Sequence, residues 1–145
     1  MIFTFLMALL LGSSWLEVGI ASSAQSTLVD INAERASAGL RPLVLDDCLT
    51  ALADVRADDM VQRGYFSHRA PDGRMPWDFM RQARCPFTYA AENIAEAPDL
   101  QKAITELWNS REHRRNTLDA RYSRIGIGMA TRPDGTEVLV EDFTD

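Results

Sequence analysis

Ile125-Gly126-Ile127-Gly128-Met129-Ala130 is the stretch that decides how the chain is built. Large and small residues alternate with a period of two, which is the period of a β-strand. One face carries Ile125, Ile127 and Met129, and the other carries only Gly126, Gly128 and Ala130. A strand face that small implies a close neighbour packed against it. Arg132-Pro133-Asp134-Gly135 follows as a turn, with proline fixing its first corner. Val138 to Phe143 then returns as the partner strand. A hairpin alone is marginal in water, so a third strand is expected, from the 64–90 region.

Upstream of the hairpin the periodicity is helical. Thr27 to Ala38 reads as a first helix, capped by Thr27 and ended by Gly39. Asn32 and Arg35 lie three apart on it, and spacing alone assigns them to a solvated face. Leu40-Arg41-Pro42-Leu43 is an extended connector. Asp46 or Asp47 caps a second helix that runs to about Arg63, with Leu49, Leu52, Ala53, Ala57, Met60 and Val61 as its apolar stripe. Gly64 stops it. Tyr65 and Phe66 then plug the core and hold His68 in place. Pro76 to Arg84 is a short third helix whose apolar contacts are Trp77 and Met80. Pro98-Asp99 opens a fourth, in which Leu100, Ala103, Ile104, Leu107 and Trp108 follow the amphipathic pattern without a miss. Helices followed by a C-terminal hairpin make an α+β domain, with helices layered on an antiparallel sheet.

The chain has 145 residues and a net charge of −6 at pH 7. That length suits one domain, and the acidic balance argues against nucleic-acid binding. Ile2 to Leu11 is an apolar run too short to span a bilayer, and the small residues Ser22-Ser23-Ala24 follow it. We therefore expect an export signal over 1–24, cleaved before Gln25, with Gly19-Ile20-Ala21 as a second candidate cut. Residues 25–145 would be the mature domain, secreted or periplasmic, with no transmembrane helix and no lipid attachment cysteine. Export places Cys48 and Cys85 in an oxidising compartment, where they are expected to pair. The loop between them would give the bond roughly 4 kcal/mol of chain-entropy stabilisation.

Glu92-Asn93-Ile94-Ala95 lies between the two histidines, His68 and His113, at separations of 24 and 21 residues. Such spacing lets three segments converge on one polar site. Read in order, Asn32-x-x-Arg35, Pro42-Leu43, Asp59-Met60, Tyr65-Phe66-Ser67-His68, Gly73, Glu92-Asn93-Ile94-Ala95, Trp108-x-Ser110-x-x-His113-Arg114-x-Asn116-x-Leu118 and Tyr122-x-x-Ile125-Gly126-Ile127-Gly128 resemble the bacterial branch of the CAP (SCP/PR-1-like) superfamily. The resemblance spans residues 27–143. It implies a three-layer α-β-α sandwich and an extracellular or periplasmic setting. It also implies a surface cleft lined by His68, Glu92 and His113. The second acid of eukaryotic relatives is absent, since Asn109-Ser110 stands in its place. Arg111-Glu112 replaces the usual Pro-Gly, and Val140-Glu141-Asp142 replaces a Trp-x-Gln-type closing strand.

Three readings of the trio stay open. Two imidazoles can hold zinc, although catalytic zinc usually has three protein ligands. Glu92 can orient one histidine and fix its tautomer. Or Glu92 and Asn93 simply tie adjacent backbone together. Ser110 and Asn93 are further candidates for the cleft, and Glu112 is a candidate for the missing acid. No serine sits in a nucleophile elbow. Arg111, Arg114 and Arg115 read as a solvated face, with phosphate or lipid headgroups as the alternative. The favoured reading is a monomeric, non-enzymatic domain that binds a small molecule, a lipid or an envelope partner. The alternative is a zinc-dependent hydrolase acting on envelope or extracellular polymers. Catalytic residues are unassigned, and zinc is the one cofactor considered.

Overall fold

The computed structural model describes residues 14–145, with side chains from residue 23 onward. Part of the expected export signal, residues 1–13, lies outside the described residues. Residues 14–24 continue into the first helix, α1, which spans Ser14–Ser37. Thr27 is therefore inside the helix and not at its cap, and its hydroxyl donates back to the Ser23 carbonyl at 2.9 Å. Gly39 ends the helix in the left-handed region (φ 72°), and the Leu40 N–H closes on the Arg35 carbonyl at 2.8 Å.

The remaining elements are β1 (Val44–Leu45), α2 (Asp47–Gln62), α3 (Pro76–Ala83), β2 (Ala90–Ala97), α4 (Leu100–Asn109), α5 (Arg111–Thr117), β3 (Arg124–Thr131) and β4 (Glu137–Thr144). Asp46 caps α2, accepting from the Leu49 N–H at 2.9 Å, and Asp99 caps α4, accepting from Lys102 N–H at 2.8 Å. The sheet order is β1-β3-β4-β2. β3 and β4 form the expected hairpin, and β2 pairs antiparallel with β4. The third strand is thus Ala90–Ala97, just beyond the region expected for it, and it contains Glu92-Asn93-Ile94-Ala95 itself. The two-residue β1, in the segment after the connector, pairs parallel with β3, so the sheet is mixed and not wholly antiparallel.

Helices cover both faces, giving the α-β-α sandwich. On one face Ala53, Ala57 and Met60 of α2 pack on Ile94, Val138 and Val140. This is the face with glycines at 126 and 128. A Cβ on Gly126 would be driven into the Leu49 backbone, and one on Gly128 into the Ala53 backbone. The small strand face therefore exists to let α2 lie directly on the sheet. On the other face Leu28 and Ile31 of α1 and Ala103, Ile104 and Leu107 of α4 pack on Ile125, Ile127, Leu139 and Phe143. Cys48 and Cys85 form a disulfide joining the start of α2 to the chain after α3.

Several sequence expectations need correction. Asn32 and Arg35 do not face solvent. Arg35 is 1% exposed, and its guanidinium donates to the carbonyls of Arg41, Thr117, Asp119 and Tyr122. Asn32 exchanges two hydrogen bonds with the Leu43 backbone, which aligns the segment entering β1. Phe66 and Trp77 are not core plugs but are exposed. Phe79 and Met80 carry the buried contacts of α3, while Tyr65 is half-buried. Among the described residues no helix is long and apolar enough to cross a membrane.

Candidate functional site

β2 is an edge strand, and its alternation decides which way each polar side chain points. Glu92 is in register with Asp142 on β4, which in turn is opposite Gly126 on β3, so this set faces α2. Asn93 is in register with Glu141, opposite Ile127, and faces α5. The two neighbours therefore serve opposite layers, which meet around the outer edge of β2.

On the α2 side the organising group is Arg56, fully buried one turn after Ala53. Its Nε donates to Glu92 Oε2 at 3.0 Å and its Nη2 to Glu92 Oε1 at 3.2 Å. Nη1 donates to the Tyr65 hydroxyl at 2.9 Å, and that hydroxyl donates to Asp59 Oδ2 at 2.5 Å. Nη2 also reaches the carbonyls of Ser67 (3.3 Å) and His68 (3.0 Å). The guanidinium carbon sits 4.7 Å from the centre of the Phe79 ring. Burial lowers the Arg56 pKa, but the bond to Glu92 and its charge outweigh burial, and the net shift is upward. Arg56 thus neutralises Glu92 and fastens the loop that carries His68.

His68 Nδ1 lies 2.8 Å from Glu92 Oε1. An ionised carboxylate only accepts, so Nδ1 carries a proton toward Glu92 and Nε2 points away from it. The His68 side chain is 44% exposed, whereas that of Glu92 is 1% exposed. Asp142 shares the buried side of this cluster. Neither of its carboxylate oxygens has a hydrogen-bond partner. Burial, then the adjacent Glu92 charge, push its pKa well above the usual carboxylate range against the pull of Arg56.

The α5 side is built on amides. Asn93 Nδ2 faces the His113 carbonyl (3.2 Å), Thr117 Oγ1 (3.3 Å) and Glu141 Oε2 (3.1 Å), and Asn116 Nδ2 donates to Asn93 Oδ1 at 2.9 Å. Ser110 caps α5, its hydroxyl accepting from the His113 N–H at 3.4 Å. Glu141 has no cation beside it, and burial pushes its pKa up to about 7 against the Asn93 hydrogen bond. His113 Nδ1 is buried without a partner. Burial and then the nearby His68 ring lower the His113 pKa, with Glu112 opposing weakly, so His113 is neutral. An unpaired buried acceptor is tolerated better than an unpaired buried N–H, which places the proton on Nε2.

The structure thus joins His68 directly to Glu92, and ties Asn93 to the His113 backbone from the opposite face. Ser110 and Ser67 each accept a backbone N–H, from His113 and Arg69, and neither hydroxyl bonds a histidine ring. Glu112 is exposed and bonds neither histidine. Among the described residues no group of three or more His, Cys, Asp or Glu is placed to hold a metal ion. Glu92 is already occupied by Arg56 and His68, so a metal here would rest on the two imidazoles alone. Sequence reasoning missed Arg56, Asp142 and Glu141. Arg56 did leave a signal: it sits three residues after Ala53 and four before Met60, on the apolar stripe of α2, where a charge needs a buried partner.

A mixed sheet between helix layers, with a histidine-flanked edge strand, defines an α-β-α domain. The chain matches the Cysteine-rich secretory protein (CAP) family over residues 28–143, and it belongs to that family. It is 36% identical over 98 residues to YkwD of Bacillus subtilis, covering 67% of this chain and 38% of the relative. It is 30% identical over 112 residues to the B. subtilis membrane protein YlbC, covering 76% of this chain and 32% of that one. The chain therefore spans under half the length of these curated relatives. An extracellular SCP-domain protein from Bacillus anthracis superposes with a TM-score of 0.80 at 23% identity, over 94% of this chain and 45% of that one. An outer surface protein from Borrelia burgdorferi gives 0.79 at 19% identity, over 86% of this chain and 92% of that one. These structural likenesses bear on the fold alone.

Proposed function

We propose that the chain is an exported, non-catalytic binding domain whose cleft takes a neutral ligand bearing hydroxyl or amide groups. One observation carries this reading: both oxygens of Glu92 are consumed by Arg56 and His68. A carboxylate so engaged braces a histidine and is not free to act as a base or nucleophile. What remains is His68 Nε2 as an acceptor and His113 Nε2–H as a donor, a pair suited to a group that both gives and takes a hydrogen bond. Export is supported by the apolar leader, by the disulfide, and by extracellular and outer-surface proteins of the same fold.

The test is an imidazole 1H–15N titration with soluble peptidoglycan fragments, which are rich in hydroxyls and amides. Shifts at His68 and His113 without cleavage products are expected. Fragment cleavage that disappears in the His68→Ala/His113→Ala variant would overturn the reading. So would unmoved imidazole resonances at saturating fragment.

The second reading is a zinc-dependent hydrolase. Its support is the two imidazoles with unengaged nitrogens, one short of the usual three protein ligands. Calorimetric zinc titration separates it from the first. Zinc binding lost in the double histidine variant, together with zinc-dependent cleavage, would establish it; zinc binding equal in the variant would remove it.

A further inference from the structure

We propose that the outer face of α5 is a binding site for a soluble ligand carrying two or more phosphate groups. Arg111, Arg114, Arg115 and Leu118 are spaced i, i+3, i+4 and i+7, so they share one face of the helix and its C-terminal cap. They line, with Glu112, a hollow of about 470 Å³. None of the three guanidiniums has a hydrogen-bond or ion-pair partner among the described residues. Arg56, Arg63, Arg74, Arg81, Arg121, Arg124 and Arg132 are paired with a carboxylate, and Arg41, Arg69 and Arg84, which are not, lie singly on separate segments, so only α5 gathers unpaired guanidiniums on one face. The unpaired cluster stands out on a chain whose net charge is −6.

Helix stability does not account for it. Basic residues near a helix C-terminus complement the dipole, which covers Arg114 and Arg115 in the last turn. Arg111 is at the first helical position, where a positive charge opposes the dipole. Like charges at these spacings also repel. The face is nonetheless held rigidly from behind: Ser110 caps the helix, Asn116 donates to Asn93, and Thr117 is buried. A fixed base presenting three uncompensated guanidinium forks is arranged for a bidentate anion.

The spacing sets the class of ligand. Arg111 and Arg115 are separated by about 6 Å along the helix axis, which favours successive phosphates of one ligand over a single phosphate. A hollow with only three cations does not suit a bilayer, since membrane-binding basic clusters use about four to eight.

Calorimetry with sodium tripolyphosphate provides the test, using the whole chain, with inorganic phosphate and phosphatidylglycerol vesicles as comparison probes. Tripolyphosphate should bind at least about tenfold more tightly than inorganic phosphate, and about tenfold more weakly to Arg111→Gln/Arg114→Gln/Arg115→Gln. All three side chains are surface groups outside the core, so circular dichroism of the variant should match the wild type. If it does not, the arginine Nε–Hε resonances of the wild type replace it, and those of Arg111, Arg114 and Arg115 should shift with tripolyphosphate. Equal affinity in the triple variant, unshifted arginine resonances, or preference for vesicles over tripolyphosphate would each overturn the proposal.

Discussion

Glu92 and Asn93 are consecutive residues of one strand, yet the two faces they serve solve the same problem differently. On the α2 face a buried charge is kept, because Arg56 supplies a fixed counter-charge and fills both oxygens of Glu92. On the α5 face no cation pairs with the buried acid, and the groups around it are amides, hydroxyls and a carboxyl whose pKa has risen to about 7. The first arrangement holds its charge through a paired cation, with the raised Asp142 beside it; the second holds Glu141 with no cation and titrates around neutrality. The lesson is that two consecutive polar residues can rest on two electrostatic foundations, one on each side of an edge strand.

Breaking the α2 side should have the largest effect. Arg56→Met leaves Glu92 as an uncompensated buried charge beside Asp142, and losing one partner of a buried pair typically costs about 3–5 kcal/mol. For a domain of this size that is a fall in Tm of roughly 10 °C or more. Adding Glu92→Gln to Arg56→Met should restore part of the loss, because the stranded charge is gone. Thermal unfolding of the two variants reads this directly, and an Arg56→Met variant as stable as wild type would dissolve the contrast between the faces.

The α5 side should show itself in pH dependence. The folded-state pKa of Glu141 is raised to about 7 from an unfolded value near 4.3, so between those values the native state holds more protons than the unfolded chain. Its contribution is therefore fully present below about pH 4 and lost as pH rises through about 7. The shift corresponds to on the order of 3 kcal/mol, an upper figure. Asp142, also raised, adds a slope of the same sign. Glu141→Gln keeps an acceptor for Asn93 and removes the proton. Urea midpoints from pH 4 to 8 should fall in the wild type, less steeply in Glu141→Gln, and least in Glu141→Gln/Asp142→Asn. A flat wild-type profile would show that the two faces do not differ in this way.

Much of the architecture could be read beforehand because it rests on periodicity. The amphipathic run of α4, the Asp46 cap and the glycine face of β3 each have one physical interpretation. What stayed hidden was buried polarity. Arg35 looks like a solvated arginine until the carbonyls of residues 117–122 close around it, and those lie more than 80 positions away. Ala90–Ala97 gives no clear alternation, since both faces of β2 are largely covered and polar and apolar residues are buried alike. Trp77 and Phe79 are two apart on a short helix, and only the tertiary packing decides which one faces inward. That Glu92 can bond one of the two histidines was legible, whereas the choice of His68 was not. The opposite orientation of Asn93 followed only once residues 90–97 proved to be a strand.

The smallest stability effect should come from His68, which the proposed function sets against the ligand. His68 is bonded to Glu92, but its side chain is nearly half exposed, so solvent screens the interaction and removal should cost under about 1 kcal/mol. Glu92 keeps both contacts from Arg56 when His68 is cut to alanine. Glu92→Gln is different, because it strips the buried guanidinium of its counter-charge. The stability loss for Glu92→Gln should therefore exceed that for His68→Ala several-fold, while both should disturb ligand-induced shifts at His113. Equal losses in the two variants would make His68 part of the fold's support. A small loss for His68 with a large one for Glu92 would separate the residue that faces the ligand from the residue that holds it in place.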